Sequence, residues 1–334
     1  MKLIIDGYNK TLRKKDNQIV VMEKDNEIYR ISANKVSDIT IMAKGHITFD
    51  ALNLMARNNI KLISINYFGQ INYILESPNQ ENVNLKKIQY QASENYKGLL
   101  ISKEFIKSKM KNQKSTIKTL NKNKKLKEVK IIENKIKQNI KDFENFKITP
   151  SDDVFTSKNK IMGFEGITSV NYWEAVSLLL PDEINFKNRN QKPENDVVNS
   201  MLNYGYAILA SEIAKNIVTL GLDPYCGLLH ADLKRRQSLI FDLIEEFRQQ
   251  IVDKTVFKLI NTNQINETNI DKRNNSLKLE SRKLLAGEIM VKIHSDLTFE
   301  NEKVTYANII ENQTKKLVKS LLNNNDYTGF YLNW

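Results

Sequence analysis

The stretch Gly221–Arg248, GLDPYCGLLHADLKRRQSLIFDLIEEFR, combines one histidine, two spaced carboxylates and a basic cluster. His230 ends a short apolar segment, and Ser238 opens a run with helical periodicity in which Asp242 and Glu245 are embedded. Positions i and i+3 share one face of a helix, so this spacing predicts that the two carboxylates point at the same spot. Burying ionised carboxylates among apolar neighbours is costly unless a cation compensates, which favours a metal partner.

The residue types around this stretch indicate phosphodiester chemistry. Carboxylate oxygens suit Mg²⁺ and Mn²⁺, and an imidazole shifts the choice toward manganese or another transition metal. Lys234, Arg235 and Arg236 follow the histidine, where they could hold a phosphate. A third carboxylate, Glu165, precedes the predicted helix Gly166–Leu180, whose N-terminus would favour a negative charge. Each residue alone also fits a structural role, such as a satisfied core histidine or a helix-start acid.

The composition bounds the function. The chain has 334 residues, a net charge of +12 and a charged content of 27%. A positive field favours polyanions, and nucleic acid more than membrane, although basic charge also serves solubility alone. The single Cys226 excludes an intramolecular disulfide and a thiolate-rich zinc site, and predicts a small buried residue in a reducing cytoplasm. Asp6 interrupts any signal-peptide core, and runs such as Val176–Leu180 are too short to span a bilayer.

The periodicity predicts an α+β protein with two domains. Residues 1–80 contain β-branched runs joined by hairpins at EKDNE and Phe68-Gly69-Gln70, with one helix at Thr48–Asn59. The character changes near Ser77-Pro78-Asn79, and residues 81–334 are predicted to form a larger all-α domain that holds the active site.

The helical domain begins with a long, lysine-rich segment. Residues 97–147 favour long helices, either with a solvated basic face or as a ridge that lies along a DNA backbone. Polar loops are predicted at Phe186–Pro193 and Asn261–Asn275. Further helices are predicted at Gly166–Leu180, Asn195–Leu220, Ser238–Val252, Leu277–Ser295 and Lys303–Leu322. Neither GxxxxGK[ST] nor GxGxxG occurs, so the phosphate-binding loops of nucleotide-dependent enzymes are missing.

Four blocks in register resemble the universal CRISPR-associated adaptation endonuclease/integrase, the first of the Cas proteins (the Cas-one family). The blocks, with their spacing, are Gly163-Phe164-Glu165-Gly166 with Tyr172-Trp173; Arg189 with Pro193, Asp196, Asn199 and Asn203-Tyr204-Gly205-Tyr206; Gly221-Leu222-Asp223-Pro224 with His230; and Arg236, Ser238, Asp242, Leu243, Glu245, Phe247 and Arg248. The chain departs from the family at Thr168-Ser169-Val170, at Arg235 and at Gln249.

The resemblance implies a set of site residues. Its divalent-metal ligands (Mg²⁺ or Mn²⁺) fall on Glu165, His230 and Glu245, with Asp242 coordinating directly or through water. Around them, Asn199 and Tyr172 would shape the site. The residues expected to hold DNA are Arg236, Arg248, Arg189, Lys234 and Arg235.

The resemblance also implies a reaction and partners. A 3′-hydroxyl of a captured DNA fragment attacks a phosphodiester at the edge of a CRISPR repeat, in the leader-repeat region, without ATP. Water in place of the hydroxyl gives endonuclease action on single-stranded, double-stranded or branched DNA. The protein is expected to form a homodimer through its β domain and to bind the second universal Cas adaptation protein (Cas-two) in a heterohexamer.

Three other functions stay open. A casposon-type integrase and a stand-alone branched-DNA repair nuclease would share the fold, and the lack of a further domain after Trp334 argues mildly against the first. From another class, the chain would be a non-catalytic DNA-binding scaffold, against which the intact Glu165, His230 and Glu245 argue.

Overall fold

The N-terminal region contains two four-stranded sheets and one helix. The computed structural model describes residues 1–65, 71–77, 83–184, 186–190, 196–231, 236–271, 276–323 and 325–332. The strands of this region are β1 (Lys2–Ile5), β2 (Lys10–Lys15), β3 (Gln18–Glu23), β4 (Asn26–Ser32), β5 (Asp38–Ile41), β6 (Gly45–Ile47), β7 (Lys61–Ile65) and β8 (Ile71–Leu75).

The two sheets differ in topology. One has the order β1-β5-β7-β8, with β1, β5 and β7 parallel and β8 antiparallel to β7. The other has the order β4-β3-β2-β6, in which β2, β3 and β4 form an antiparallel meander. The predicted EKDNE hairpin is confirmed as the β3–β4 turn, with Lys24 at a φ of 56°. The predicted turn at Phe68-Gly69-Gln70 lies outside the described residues.

Helix α1 (Phe49–Arg57) confirms the predicted helix of this region. The Thr48 side chain caps it by accepting a hydrogen bond from the Ala51 amide (3.2 Å), which satisfies one of the free donors of the first turn. Ala51, Leu54 and Met55 are buried and join a cluster with strand residues between Leu3 and Leu62. A second cluster contains the buried residues from Leu85 onward. The domain boundary near residue 80 stays a prediction.

The remainder of the described chain is helical, with two small two-stranded sheets that the sequence did not reveal. Its helices are α2 (Val83–Ser93), α3 (Tyr96–Lys124), α4 (Lys127–Asn145), α5 (Val154–Leu179), α6 (Val197–Thr219), α7 (Ser238–Leu243), α8 (Lys254–Asn261), α9 (Leu279–His294) and α10 (Tyr306–Asn323). The small sheets pair β9 (Ile270–Asp271) with β10 (Ser276–Leu277), and β11 (Asp296–Phe299) with β12 (Glu302–Thr305).

Two predicted helix boundaries were wrong in ways that matter for the site. Helix α5 begins at Val154, capped by the Asp153 side chain, and not at Gly166. Glu165 therefore lies within the helix and gains nothing from an N-terminus. Gly163 and Gly166 lie inside this helix and do not interrupt it. A Cβ at either position would meet no atom within 4 Å, so each glycine costs the helix only backbone entropy.

The predicted helix Ser238–Val252 is interrupted. After α7 the chain forms a 3₁₀ turn at Ile244–Glu246 and a π-helical turn at Gln249–Asp253 before α8 begins. Asn112 Nδ2 of α3 donates to the Glu246 carbonyl oxygen (2.9 Å), which gives that carbonyl a partner outside the regular helical ladder. At the other end of the chain, Lys303 belongs to β12 and not to α10.

Helix α3 is the central element of the helical region. It packs against α4, α5 and the 3₁₀ turn. Its cap is Asn95, whose side chain accepts hydrogen bonds from the Lys97 and Gly98 amides (2.9 and 3.4 Å). Its core-facing side carries buried polar side chains as well as apolar ones, among them Ser108, Asn112 and Gln113. Buried polar groups require partners, and Asn112 supplies one to the segment that carries Glu245.

Candidate active site

Glu165 and Glu245 meet around one lysine. Lys109 of α3 donates to Glu165 Oε1 of α5, and its Nζ lies 2.8 Å from Glu245 Oε2 in the 3₁₀ turn. The Lys109 side chain is 13% exposed and that of Glu245 is 7% exposed, so the pair of carboxylates faces a largely desolvated ammonium. Ser169 Oγ also donates to Glu165 Oε1 (2.7 Å), and Gln113 Nε2 donates to Ser169 Oγ (3.1 Å).

The charges around Glu245 hold it ionised. Burial alone would raise its pKa, but the positive charges of Arg248 and Lys109 outweigh burial and lower the pKa to about 2. A positive charge on His230 would act in the same direction. Arg248 Nε lies 3.2 Å from Glu245 Oε1. Glu245 Oε2 is buried and has no hydrogen-bond donor among the described residues beyond its ion pair with Lys109.

His230 is oriented by Asp242. Its Nδ1 lies 2.6 Å from Asp242 Oδ1, and because a carboxylate only accepts, Nδ1 is the donor of this hydrogen bond. In the neutral imidazole the lone pair is then on Nε2. The His230 side chain is 23% exposed, whereas Asp242 is fully buried. An imidazole held this way by a carboxylate is the usual arrangement of a histidine that ligates a metal.

Both carboxylate oxygens of Asp242 are fully hydrogen-bonded within the chain. Its Oδ2 accepts from the Leu228 and Leu229 amides (2.5 and 3.0 Å), and its Oδ1 accepts from the His230 amide (3.0 Å). A Cβ on Gly227 would lie 3.1 Å from Oδ2 and 2.7 Å from the His230 carbonyl oxygen, so the turn wraps tightly around the carboxylate. The prediction that Asp242 and Glu245 point at the same spot is therefore wrong: Asp242 holds the histidine, and Glu245 faces Lys109.

A buried network behind the site fixes Arg248. Its guanidinium lies 4.4 Å from the centre of the Tyr206 ring. The hydroxyls of Tyr206 and Tyr172 donate to Asp253 (2.6 and 2.7 Å). Burial raises the pKa of Asp253 to about 6, and the two tyrosines and Arg248 oppose that rise. Tyr172, predicted to shape the site, is fully buried and bonds to Asp253, and its role at the site stays a prediction.

A second buried network attaches the C-terminal segment to the residue next to Glu245. Glu246 Oε1 accepts from the Tyr327 hydroxyl (2.7 Å), and Oε2 accepts from the Phe330 amide (2.8 Å) and Gln313 Nε2 (2.9 Å). Burial raises the pKa of Glu246 to about 7, although these hydrogen bonds act to lower it. Asn112 also accepts from the Leu332 amide (3.1 Å), so the last described residues brace the 3₁₀ turn.

The predicted DNA-contacting arginines have different surroundings. Arg189 donates to Asn199 Oδ1 (2.9 Å) and to Asn203 Oδ1, so its guanidinium is bound within the chain. Asn199 is fully buried and binds the loop at Asn188 and Asn190 (3.0 and 2.9 Å), not the catalytic carboxylates. These contacts indicate structural roles for both residues.

The basic cluster after His230 is described only in part. The guanidinium of Arg236 lies 5.2 Å from the Phe241 ring centre, at the partly exposed start of α7. Arg248 is mostly buried against Glu245 and Tyr206. Lys234 and Arg235 lie outside the described residues, and whether any of these side chains binds DNA stays a prediction.

Lys109 is a residue of the candidate site that sequence reasoning missed. It lies on a lysine-rich helix, in a chain with 51 lysines and arginines, and no local pattern distinguishes it. The only signal available was the apolar periodicity of α3, on which Lys109 neighbours the buried Met110 and Ile106. In the sequence, Ser169 stands out only as part of a departure from the family. In the structure its hydroxyl donates a hydrogen bond to Glu165.

The donor groups present fit a divalent cation. Two carboxylates from different elements converge on one largely buried lysine, one oxygen of Glu245 has only an ion pair, and His230 is oriented by a carboxylate of its own. Across the described parts of the chain, however, no group of three or more His, Cys, Asp and Glu side chains stands in metal-binding arrangement. Lys109 lies between the two glutamates instead.

The sequence matches a known protein family over most of its length. Residues 3–289 fit the family model described as CRISPR associated protein Cas1. The chain belongs to the Cas1 family. It is 55% identical to CRISPR-associated protein Cas1 3 of Methanobrevibacter ruminantium and 32% identical to CRISPR-associated endonuclease Cas1 1 of Archaeoglobus fulgidus, and both alignments cover 100% of each chain. The resemblance predicted from the four blocks is confirmed.

Solved structures show the same fold. A casposase bound to its integration product matches with a TM-score of 0.75 and 23% identity, over 98% of this chain and 97% of the other. The chain of a partial Cas6-RT-Cas1–Cas2 complex matches with a TM-score of 0.74 and 19% identity, over 100% and 99%. A Cas1 protein of Thermotoga maritima matches with a TM-score of 0.68 and 21% identity, over 100% of both chains. The predicted α+β architecture is thereby confirmed.

Within the described residues, no helix combines the length and the apolarity needed to cross a bilayer.

Proposed function

We propose that this Cas1 protein is a metal-dependent DNA integrase and endonuclease of CRISPR spacer acquisition. The observation that carries the proposal is the convergence of Glu165 and Glu245 on the largely buried Lys109, in a chain of this family. These groups come from α5, the 3₁₀ turn and α3. Buried ion pairs are often no more stabilising than apolar side chains of similar volume, so stability alone does not explain them.

The residues divide the chemical work. Glu165, Glu245 and Nε2 of His230 would hold Mg²⁺ or Mn²⁺, and the bound ion would supply activation of the attacking 3′-hydroxyl and compensation of charge growing at phosphorus. Asp242 keeps His230 in the tautomer that can bind. Arg248 keeps Glu245 ionised, and the network of Tyr206, Tyr172 and Asp253 keeps Arg248 in place.

The basic surface of α3 and α4 supports a DNA substrate. A cleft of about 700 Å³ between these helices is lined by Lys111, Lys114, Lys118, Lys137 and Lys141. A second cleft of about 870 Å³ near the α3–α4 turn carries another set of lysines, Lys122, Lys125, Lys127, Lys130 and Lys254. We infer that these lysines hold the phosphates of the captured fragment, which positions DNA without reading its sequence.

We also propose a homodimer and a Cas2-type partner. Edge strands β4 and β8 carry exposed apolar side chains, Ile28 and Tyr29 on one and Tyr73 and Leu75 on the other, which supports pairing through the β region. One structural neighbour is itself part of a Cas6-RT-Cas1–Cas2 complex, which supports the partner. Two dimers bridged by such a partner would form the expected heterohexamer.

A joining assay tests the proposal. The purified protein and its Cas2-type partner are incubated with a 5′-labelled duplex and a supercoiled plasmid that carries the leader and repeat, with Mn²⁺ or Mg²⁺. We expect the label to appear in relaxed plasmid. The matched control is the same duplex with 3′-deoxy ends, which cannot be joined. Joining that persists in EDTA, or the absence of joining with either metal, would contradict the proposal.

The casposase match favours one alternative, an integrase that inserts outside CRISPR arrays. A second plasmid without leader and repeat distinguishes it: equal joining into both plasmids would favour the alternative. Binding of DNA with neither joining nor cleavage would indicate a scaffold.

A further inference from the structure

The ammonium of Lys109 occupies the space between the two glutamates that would hold the divalent cation. It donates to Glu165 Oε1 and lies 2.8 Å from Glu245 Oε2, so both carboxylates are turned toward it. A lysine at this depth is unfavourable unless it is paired, and here two carboxylates pair with it. The inference that follows rests on the metal centre proposed above.

The ion pairs that Glu165 and Glu245 form are balanced in charge without a metal. Glu165 and Glu245 contribute two negative charges, and Lys109 and Arg248 contribute two positive charges. A divalent cation added to this arrangement would leave an uncompensated excess of positive charge in a desolvated site, which is costly. The site therefore accepts the cation at little cost only when Lys109 leaves the carboxylates or when a phosphodiester brings negative charge.

We propose that Lys109 is an internal counter-ion that competes with the divalent cation for Glu165 and Glu245 and that pairs with the DNA phosphate once displaced. The lysine stem is flexible and its ammonium is a compact charge, so it can move between two nearby anions without rearrangement of α3. Metal binding and DNA binding then favour each other, because each removes the charge imbalance that the other creates. In the free enzyme Lys109 would weaken metal binding, and bound DNA would strengthen it.

Binding of Mn²⁺ alone, measured by calorimetry or electron paramagnetic resonance without DNA, tests the competition. The variants are Lys109→Met, which removes the charge, Lys109→Arg, which keeps it, and Lys107→Met, a matched control on the same helix whose partner is Glu104. We expect Lys109→Met to bind Mn²⁺ at least ~10-fold more tightly than the wild type. A factor of this size is within the usual range of coupling between two binding events in one protein. Lys107→Met and Lys109→Arg should stay near the wild-type affinity.

A wild-type measurement avoids any effect of the substitutions on folding. Pulse acetylation followed by mass spectrometry should show Lys109 protected in the free protein and more reactive after Mn²⁺ is added, with Lys107 unchanged. Equal or weaker Mn²⁺ binding by Lys109→Met, or protection of Lys109 that Mn²⁺ does not alter, overturns the inference.

The Glu165→Gln variant separates this inference from the proposed function. If wild-type protein binds Mn²⁺ and Glu165→Gln loses that binding, the metal centre stands, and the Lys109 variants decide the inference alone. If wild-type protein binds no Mn²⁺ with or without DNA, or Glu165→Gln binds as well as the wild type, the metal centre fails and the inference fails with it.

Discussion

Asp242 Oδ1 lies 2.6 Å from His230 Nδ1 while both Asp242 oxygens accept backbone amides of the turn that carries the histidine. One fully buried carboxylate thus fixes the backbone at residues 228–230 and the ring of His230 together. The position and the tautomer of the candidate metal ligand depend on a single side chain. This relationship explains why an acid is required at 242 even though it does not face the two glutamates.

Asp242→Asn should weaken Mn²⁺ binding by about 10- to 100-fold, the usual effect of losing a carboxylate behind a metal-ligating histidine. An asparagine would turn an N–H₂ group toward amides that also donate, so His230 would lose its orientation. ¹⁵N spectra of the ring should show the proton leaving Nδ1 in the variant. The exposed Asp182 provides the control, Asp182→Asn, and the prediction fails if both variants keep the wild-type affinity and tautomer.

Glu165→Ala and His230→Ala should each lower strand joining by about 100-fold or more, as expected when a preorganised electrostatic group is removed. Duplex binding, measured by fluorescence anisotropy, should stay nearly unchanged because the lysine clefts are untouched. The matched control is Glu174→Ala. Glu174 is an exposed residue on the same helix as Glu165, away from Lys109. Full joining activity in either site variant would refute the site.

Lys137→Gln combined with Lys141→Gln should weaken duplex binding and reduce its salt dependence. Removing one phosphate contact makes the slope of log K against log salt shallower by roughly 0.9. The control replaces two exposed lysines of β2, Lys14 and Lys15, with glutamine, which changes the net charge equally. If both pairs change the slope by the same amount, net charge and not the cleft determines binding.

Gly205→Ala should destabilise the fold by about 1–3 kcal/mol, the typical cost of overpacking a core. A Cβ at this position of α6 would lie 2.6 Å from Val252 Cγ1 and 3.0 Å from Ile289 Cδ1. The control is Gly287→Ala on α9, where the added methyl meets no atom within 4 Å and should stabilise by up to ~1 kcal/mol. Chemical denaturation measures the free energy of unfolding of both variants. A change of the same sign in the two variants would contradict the packing argument.

The free energy of unfolding should fall as the pH rises from about 4.5 to about 7, because Glu246 keeps its proton in the folded state over this range and releases it in the unfolded state. Its raised pKa corresponds to a loss of up to ~3 kcal/mol across the window. Asp253, with a pKa raised from 3.8 to about 6, acts in the same direction. Glu246→Gln should remove most of the first contribution.

Denaturant unfolding at about pH 5 and about pH 8 measures this difference, since those values lie near the two sides of the window. An equal change in stability for the wild type and Glu246→Gln would show that Glu246 does not titrate as the structure indicates.

The local sequence determined the family, the β-rich N-terminal region followed by helices, and the identity of the acidic and histidine residues. Apolar periodicity predicted α1, α3, α4 and α6. These features depend on contacts along one element, which a single sequence records.

Tertiary packing alone decided how those residues are arranged. The break after Leu243 and the opposite partners of Asp242 and Glu245 depend on side chains that are distant in sequence. Lys109 shows the physical reason: its position between two glutamates follows from how α3, α5 and the 3₁₀ turn pack, and one lysine among many carries no local sign of it. Electrostatic partnership is a property of distance through space, and periodicity along the chain does not encode it.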